Sequence, residues 1–228
     1  MIHDNDPIER VELTATLLCE EAKRFTVAES THSEPSLYGK TDGKAVGTYL
    51  EHKFRRYLLA RYSFLEGNSA SGIDFPGLGI DMKVTSALQP QSSCPFKSAR
   101  QKIYGLGYSL IVFVYEKTDD AVASACNLKM THTVFIESER TGDFQMTRGL
   151  RDIVENEGNI DDLMAFMSDK NLPVDLIELK SLAEEILRIK PAQGYLTISN
   201  ALQWRLQYGR ALEKSGLESG VQSIFKRT

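Results

Sequence analysis

A chain of 228 residues, 42% hydrophobic and 25% charged, is long enough to bury a domain core and too evenly mixed for a disordered or fibrous protein. Its formal net charge of −4 excludes a uniformly basic DNA coat, although a groove with local positive charge stays compatible with it. Three cysteines (Cys19, Cys94 and Cys126), odd in number and without CxxC spacing, exclude a disulfide scaffold or zinc knuckle and fit a reducing compartment.

The polar, acidic start MIHDNDPIER does not read as a signal peptide, and the longest apolar run, YSLIVFVY, is far too short to span a bilayer. The expectation is a cytoplasmic protein with no membrane partner. In chain order, Ile8, Val11, Ala15, Leu18, Ala22 and Phe25 give residues 8–25 helical spacing. A Ser/Thr/Gly/Pro-rich loop (29–43) follows, then a second helix (44–61) with Val46, Leu50, Phe54, Tyr57 and Leu58 on one face. Three short extended pieces are expected at 62–66, 71–75 and 79–85, with turns at Gly67-Asn68 and Pro76-Gly77. A polar loop at 89–95 leads into a helix at 96–106. The run SLIVFVYE (109–116) is apolar nearly throughout, as in a central strand, and 131–137 alternates as another strand. Beyond about 148 the pattern is helical at 149–157, 160–169, 174–189 and 199–214. The fold class is therefore α/β, a mixed sheet flanked by helices, with a core in 1–150. Residues 151–228 form a helical extension for DNA recognition or dimerisation, or belong to the same domain.

The chemistry concentrates in SGIDFPGLGIDMKVTS (71–86). A strand period of two puts Asp81 and Lys83 on one face and Ile80, Met82 and Val84 on the other. The FPGLG turn can bring Asp74 to the same edge. Two close carboxylates repel unless a cation sits between them, and Mg²⁺ accepts such oxygens while keeping waters for a phosphate substrate. Lys83 could then orient or deprotonate a water, or stabilise charge on phosphorus.

Asp74 followed by Asp81-Met82-Lys83 resembles the PD-(D/E)xK nuclease superfamily, the fold of most type II restriction endonucleases. Gly47-Thr48-Tyr49-Leu50-Glu51 on the preceding helix matches the G-x-x-L-E-like context in which relatives carry a further acid. The helix–strand–strand–strand–helix–strand order over 44–116 is also similar to the superfamily core. The resemblance implies Mg²⁺-dependent cleavage of double-stranded DNA to 5′-phosphate ends by Asp74, Asp81, Lys83 and Glu51, with Asp74 and Asp81 as metal ligands. Cutting both strands of a palindrome implies a homodimer. A repair-type nickase and a structure-specific endonuclease are alternatives within the superfamily; a catalytically dead DNA-binding module is one outside enzymology.

Candidate DNA contacts follow from residue chemistry. Gln89, Gln91, Ser92 and Ser93 can reach base edges or phosphates, and Lys97, Arg100, Gln101 and Lys102 add polar and positive groups on the next helix. Lys44, Lys53, Arg55, Arg56 and Arg61 make the second helix basic, as a phosphate-facing stripe or a solvated face. In the tail, a helix capped by Ser199 or Asn200 would bury Leu202, Leu206 and Tyr208 and expose Gln203, Arg205, Gln207 and Arg210, to read the major groove or to close a dimer. No His/Cys spacing suits zinc, and no Walker A or G-x-G-x-x-G sequence suggests a nucleotide cofactor.

Overall fold

The computed structural model of the protein describes residues 10–67, 72–95, 97–199 and 203–227. The N-terminal part runs β1 (Val11–Glu12), α1 (Ala15–Glu29), β2 (Ser33–Glu34), α2 (Gly43–Leu59) and β3 (Tyr62–Ser63). Next come β4 (Ile80–Ser86), β5 (Gln91–Pro95), α3 (Arg100–Tyr104), β6 (Ser109–Asp120) and β7 (Ala125–Ile136). Three helices follow: α4 (Phe144–Glu155), α5 (Ile160–Asp169) and α6 (Leu176–Arg188). The chain closes with β8 (Thr197–Ile198), β9 (Gln203–Gln207), α7 (Gly209–Lys214) and β10 (Val221–Lys226).

The main sheet has the order β10-β7-β6-β4, with β2 pairing the far end of β7. Only the β4–β6 pair is parallel among these neighbours, so the sheet is mixed and β4 forms one edge. β6 is apolar because layers cover both its faces. Ile111, Phe113 and Tyr115 pack with Phe25 of α1 and with Leu50 and Phe54 of α2. Leu110, Val112 and Val114 pack on the opposite side with Trp204, Leu206 and Tyr208. A third cluster joins α3 to α4–α6 through Ile103, Met146, Leu150, Leu163 and Leu182. Among the described residues, no helix is long and apolar enough to cross a membrane.

The helical run expected after residue 148 holds through α6 and then gives way to strands. The helix expected over 199–214 is a strand, β9, followed by the short α7. Of its two expected caps, Asn200 lies outside the described residues, as does Leu202, and Ser199 Oγ, just past β8, accepts the Arg205 amide of β9 at 2.9 Å. Trp204, Leu206 and Tyr208 are fully buried while Arg205 and Gln207 are exposed, the period-two alternation of a strand with one buried face. The segment 89–95, expected as a loop, contains β5, which pairs antiparallel with β9 from Gln91↔Gln207 to Pro95↔Gln203. β8 completes this second, three-stranded sheet on the other side of β9. β10 returns to the main sheet beside β7.

Candidate active site

Asp42 caps the N-terminus of α2, its carboxylate accepting the Lys44 amide at 2.9 Å. Its buried face carries Val46, Leu50, Phe54 and Leu58 against the sheet. Glu51 is half-buried beside that face, and Arg55 follows one turn later, so both look toward β4. The chain reaches β4 through a tight reversal: the Phe75 and Ile80 amides and carbonyls bond each other around one 3₁₀ turn, Pro76–Leu78. Gly79 closes that turn in the left-handed region at φ 63°, where a side chain would be strained. Gly67 is equally required: a Cβ there would stand 2.0 Å from the Ile73 carbonyl oxygen.

The reversal brings Asp74, Asp81 and Lys83 together. Asp74 Oδ2 accepts the Met82 amide at 3.0 Å, and Asp74 Oδ1 pairs with Arg55 at 2.8 Å. Lys83 Nζ stands 2.7 Å from Asp81 Oδ2, yet that oxygen is buried and receives no well-angled hydrogen bond. Burial, opposed by Lys83 and aided by the Asp74 carboxylate, pushes the Asp81 carboxyl up to about 6. Glu51 is also raised, first by burial and then by Asp74. Burial works against the Lys83 ammonium, but the Asp81, Asp74 and Glu51 carboxylates outweigh it and hold its pKa above the ordinary lysine value. Among the described residues, no three His, Cys, Asp or Glu side chains form a ready-made metal cage. Two adjacent carboxylates on one cavity, one with a buried oxygen that receives no well-angled hydrogen bond, nonetheless suit a hard divalent ion that retains water ligands.

This edge of the sheet opens on two adjoining cavities that share Glu51 and Lys83. One, of about 440 Å³, holds both aspartates with His52 and Arg55. The other, a cleft of about 630 Å³, runs from Lys44 and Thr48 on α2 past Lys83 to Gln89, Gln91, Ser92, Ser93 and Arg205. Gln203 opens β9 and its side chain lies outside the described residues. Lys97 is exposed, with its Nζ 3.8 Å from the position a Gly72 Cβ would take at the first cavity's wall.

Three expected DNA contacts stand elsewhere, engaged within the chain. The Arg100 guanidinium grips Glu185 of α6 at 2.6 and 3.2 Å and stacks on Tyr104. Gln101 donates to the Leu106 carbonyl at 2.8 Å, and Lys102 is buried, which lowers its pKa. The basic stripe of α2 divides likewise: Lys53 pairs with Glu29 at 2.8 Å and Arg61 caps the Tyr57 carbonyl, whereas Lys44 and Arg55 line the two cavities. Arg55 was legible only as part of that stripe; its position four residues after Glu51 is the signal that sets it apart. Thr85 was missed, although it continues the Asp81–Lys83 face at i+2. It fastens β5 to β4 by accepting the Gln91 amide at 2.9 Å.

A mixed sheet flanked by helices, with an Asp…Asp-x-Lys edge opening on a polar cleft, is a restriction-endonuclease-like fold. The family model described as type II restriction enzyme NspV matches residues 12–223. The type II restriction enzyme NspV of Nostoc sp. is 64% identical over 214 residues, covering 94% of this chain and 97% of the relative. The chain belongs to the NspV family of type II restriction enzymes, and its activity is site-specific cleavage of DNA. No solved structure matches it.

Proposed function

We propose that Asp74 and Asp81 hold Mg²⁺ at the edge of β4 and that Lys83 and Glu51 complete the reacting centre of this restriction endonuclease. The observation that carries the reading is the convergence of these four side chains, from α2 and from both sides of one tight turn, on a cleft that continues past Gln91, Ser93 and Arg205. Mg²⁺ held by Asp74 and Asp81 would polarise the phosphate and lower the pKa of a bound water. Asp81 offers its buried Oδ2, which faces the Lys83 ammonium at 2.7 Å, and Asp74 is fixed in place by the Met82 amide. Lys83, kept protonated by its three carboxylate neighbours, acts as a donor toward the attacking water or the phosphoryl oxygens. Glu51 serves as the outer carboxylate of the site. Water gives up a proton as its oxygen bonds phosphorus, the bond from phosphorus to the 3′ oxygen breaks, and that oxygen takes up a proton, giving 5′-phosphate and 3′-hydroxyl ends. Two copies related by a two-fold axis cut the two strands of a palindrome.

Digestion of a plasmid of known sequence with Mg²⁺, followed by mapping of the fragment ends, tests this. Discrete fragments sharing one end sequence are expected, and none in EDTA. Asp81→Ala is expected to bind DNA and not cleave it. Cleavage by that variant at the wild-type rate would refute the site, and nicking without linearisation would refute the dimer.

A further inference from the structure

We infer that the outer face of the β5–β9 pair is the base-reading element of the enzyme, with Arg205 and Gln91 as its specificity determinants; this rests on the cleavage site proposed above. On this pair, register sets Ser93 opposite Arg205 and Gln91 opposite Gln207. Trp204, Leu206 and Cys94 point the other way, into the core, so the four polar side chains share the outer face.

Their hydrogen-bonding capacity is unused. Among the described residues, the side chains of Gln91, Ser93, Arg205 and Gln207 have no hydrogen-bond or ion-pair partner. Nearby groups of the same chemistry are committed: Ser92 to the Tyr208 hydroxyl, Gln193 to Phe144 O, Thr147 and Gly194 O, and Arg100 to Glu185. A core does not require four free polar groups in register, whereas a two-stranded ribbon that enters the major groove does. Gln91, Ser93 and Arg205 line the same cleft as Lys83 and Glu51, so duplex DNA lying at the reacting centre passes over this face. Thr85 holds β5 to the strand that bears Asp81 and Lys83, which fixes the distance from reading face to cut site. An arginine fork matches the O6/N7 edge of guanine, and a glutamine amide the N6/N7 edge of adenine.

The test measures cleavage rates on duplexes carrying the mapped site and every single-base-pair change of it. Arg205→Ala is expected to slow cognate cleavage roughly ten- to hundred-fold, the worth of one bidentate base contact, and to erase discrimination at one G·C pair. Arg205→Lys keeps charge and stem but not the fork, so it should lose the same discrimination while binding non-cognate DNA as wild type does. Gln91→Ala should relax a different, A·T position. Unchanged discrimination in Arg205→Lys overturns the inference. So does uniform weakening of cognate and non-cognate binding in Arg205→Ala with a shallower salt dependence, which marks a phosphate contact. Either result leaves the cleavage centre intact; wild-type cleavage by Asp81→Ala would refute that centre instead.

Discussion

Glu21 and Asp81 are almost equally buried, at 2% and 3% exposure, and their carboxyls move in opposite directions. Burial pushes Glu21 up, but the Tyr57 and Tyr62 hydroxyls and the Arg24 guanidinium outweigh it and hold its pKa below the usual range. Glu34 behaves in the same way: burial is overcome by Ser36, Tyr49 and His32, and its pKa falls to about 2. Around Asp81 burial prevails: the Lys83 ammonium opposes it, the Asp74 carboxylate adds to it, and the pKa rises to about 6. The Glu21 and Glu34 carboxylates are engaged by hydroxyl, amide and cationic donors away from the cleft, whereas Asp74 and Asp81 stand side by side on an open cavity. That contrast separates architecture from chemistry better than burial does.

The comparison breaks most visibly through activity. On the proposed site, where Asp81 is a metal ligand, Asp81→Asn should lower cleavage by about 10³-fold or more, several kcal/mol of transition-state stabilisation. Its melting temperature at pH 8 should match or exceed that of the wild type, because ionised Asp81 destabilises the fold. The wild-type carboxyl binds its proton more tightly folded than unfolded, so this penalty fades as pH falls from about 6 toward 3.8. Glu21→Ala should do the opposite: turnover per folded molecule is kept, while stability falls by about 3 kcal/mol as two tyrosine hydroxyls lose their acceptor. Because the Glu21 pKa is lowered on folding, its contribution is present above pH 4.5, and the gap between wild type and variant should shrink in acid. A stable Glu21→Ala or a strongly destabilised Asp81→Asn in thermal melts would erase the distinction.

What the sequence disclosed follows the reach of each interaction. Asp81 and Lys83 were legible because a strand's period of two places them together, and Asp74 because Pro76 and Gly77 force a reversal between the acids. Central β6 was legible from its unbroken apolar run. β9 was not: Leu202 and Leu206 are four apart and imitate a helix, while the decisive alternation of Trp204, Leu206 and Tyr208 acquires meaning only when β5 pairs alongside. The partners of the α3 cations were hidden for a related reason. The acid that engages Arg100 is Glu185, 85 residues away on a helix whose docking no local pattern encodes. Residues whose roles rest on neighbours within a turn could be read in advance; those whose partners arrive from elsewhere in the fold could not.

Metal addition sharpens the contrast without any turnover. Ca²⁺ should raise the melting temperature of the wild type by mass action, leave Asp81→Asn unmoved, and shift Glu21→Ala as much as its parent. A Ca²⁺-induced shift in Asp81→Asn equal to that of the wild type would place the ion elsewhere. The smallest effect concerns Arg55, whose guanidinium occupies Asp74 Oδ1 at 2.8 Å while both side chains stay partly solvated. In the proposed site a cation that takes Asp74 Oδ1 contends with that partner, so the ion pair competes with the metal. Partly exposed pairs are worth about 1 kcal/mol, and Arg55→Ala should therefore tighten Ca²⁺ binding roughly fivefold in calorimetry without DNA. Weaker Ca²⁺ binding in that variant would instead mean that Arg55 holds Asp74 in the geometry the ion requires, making the pair a support of the site and not its competitor.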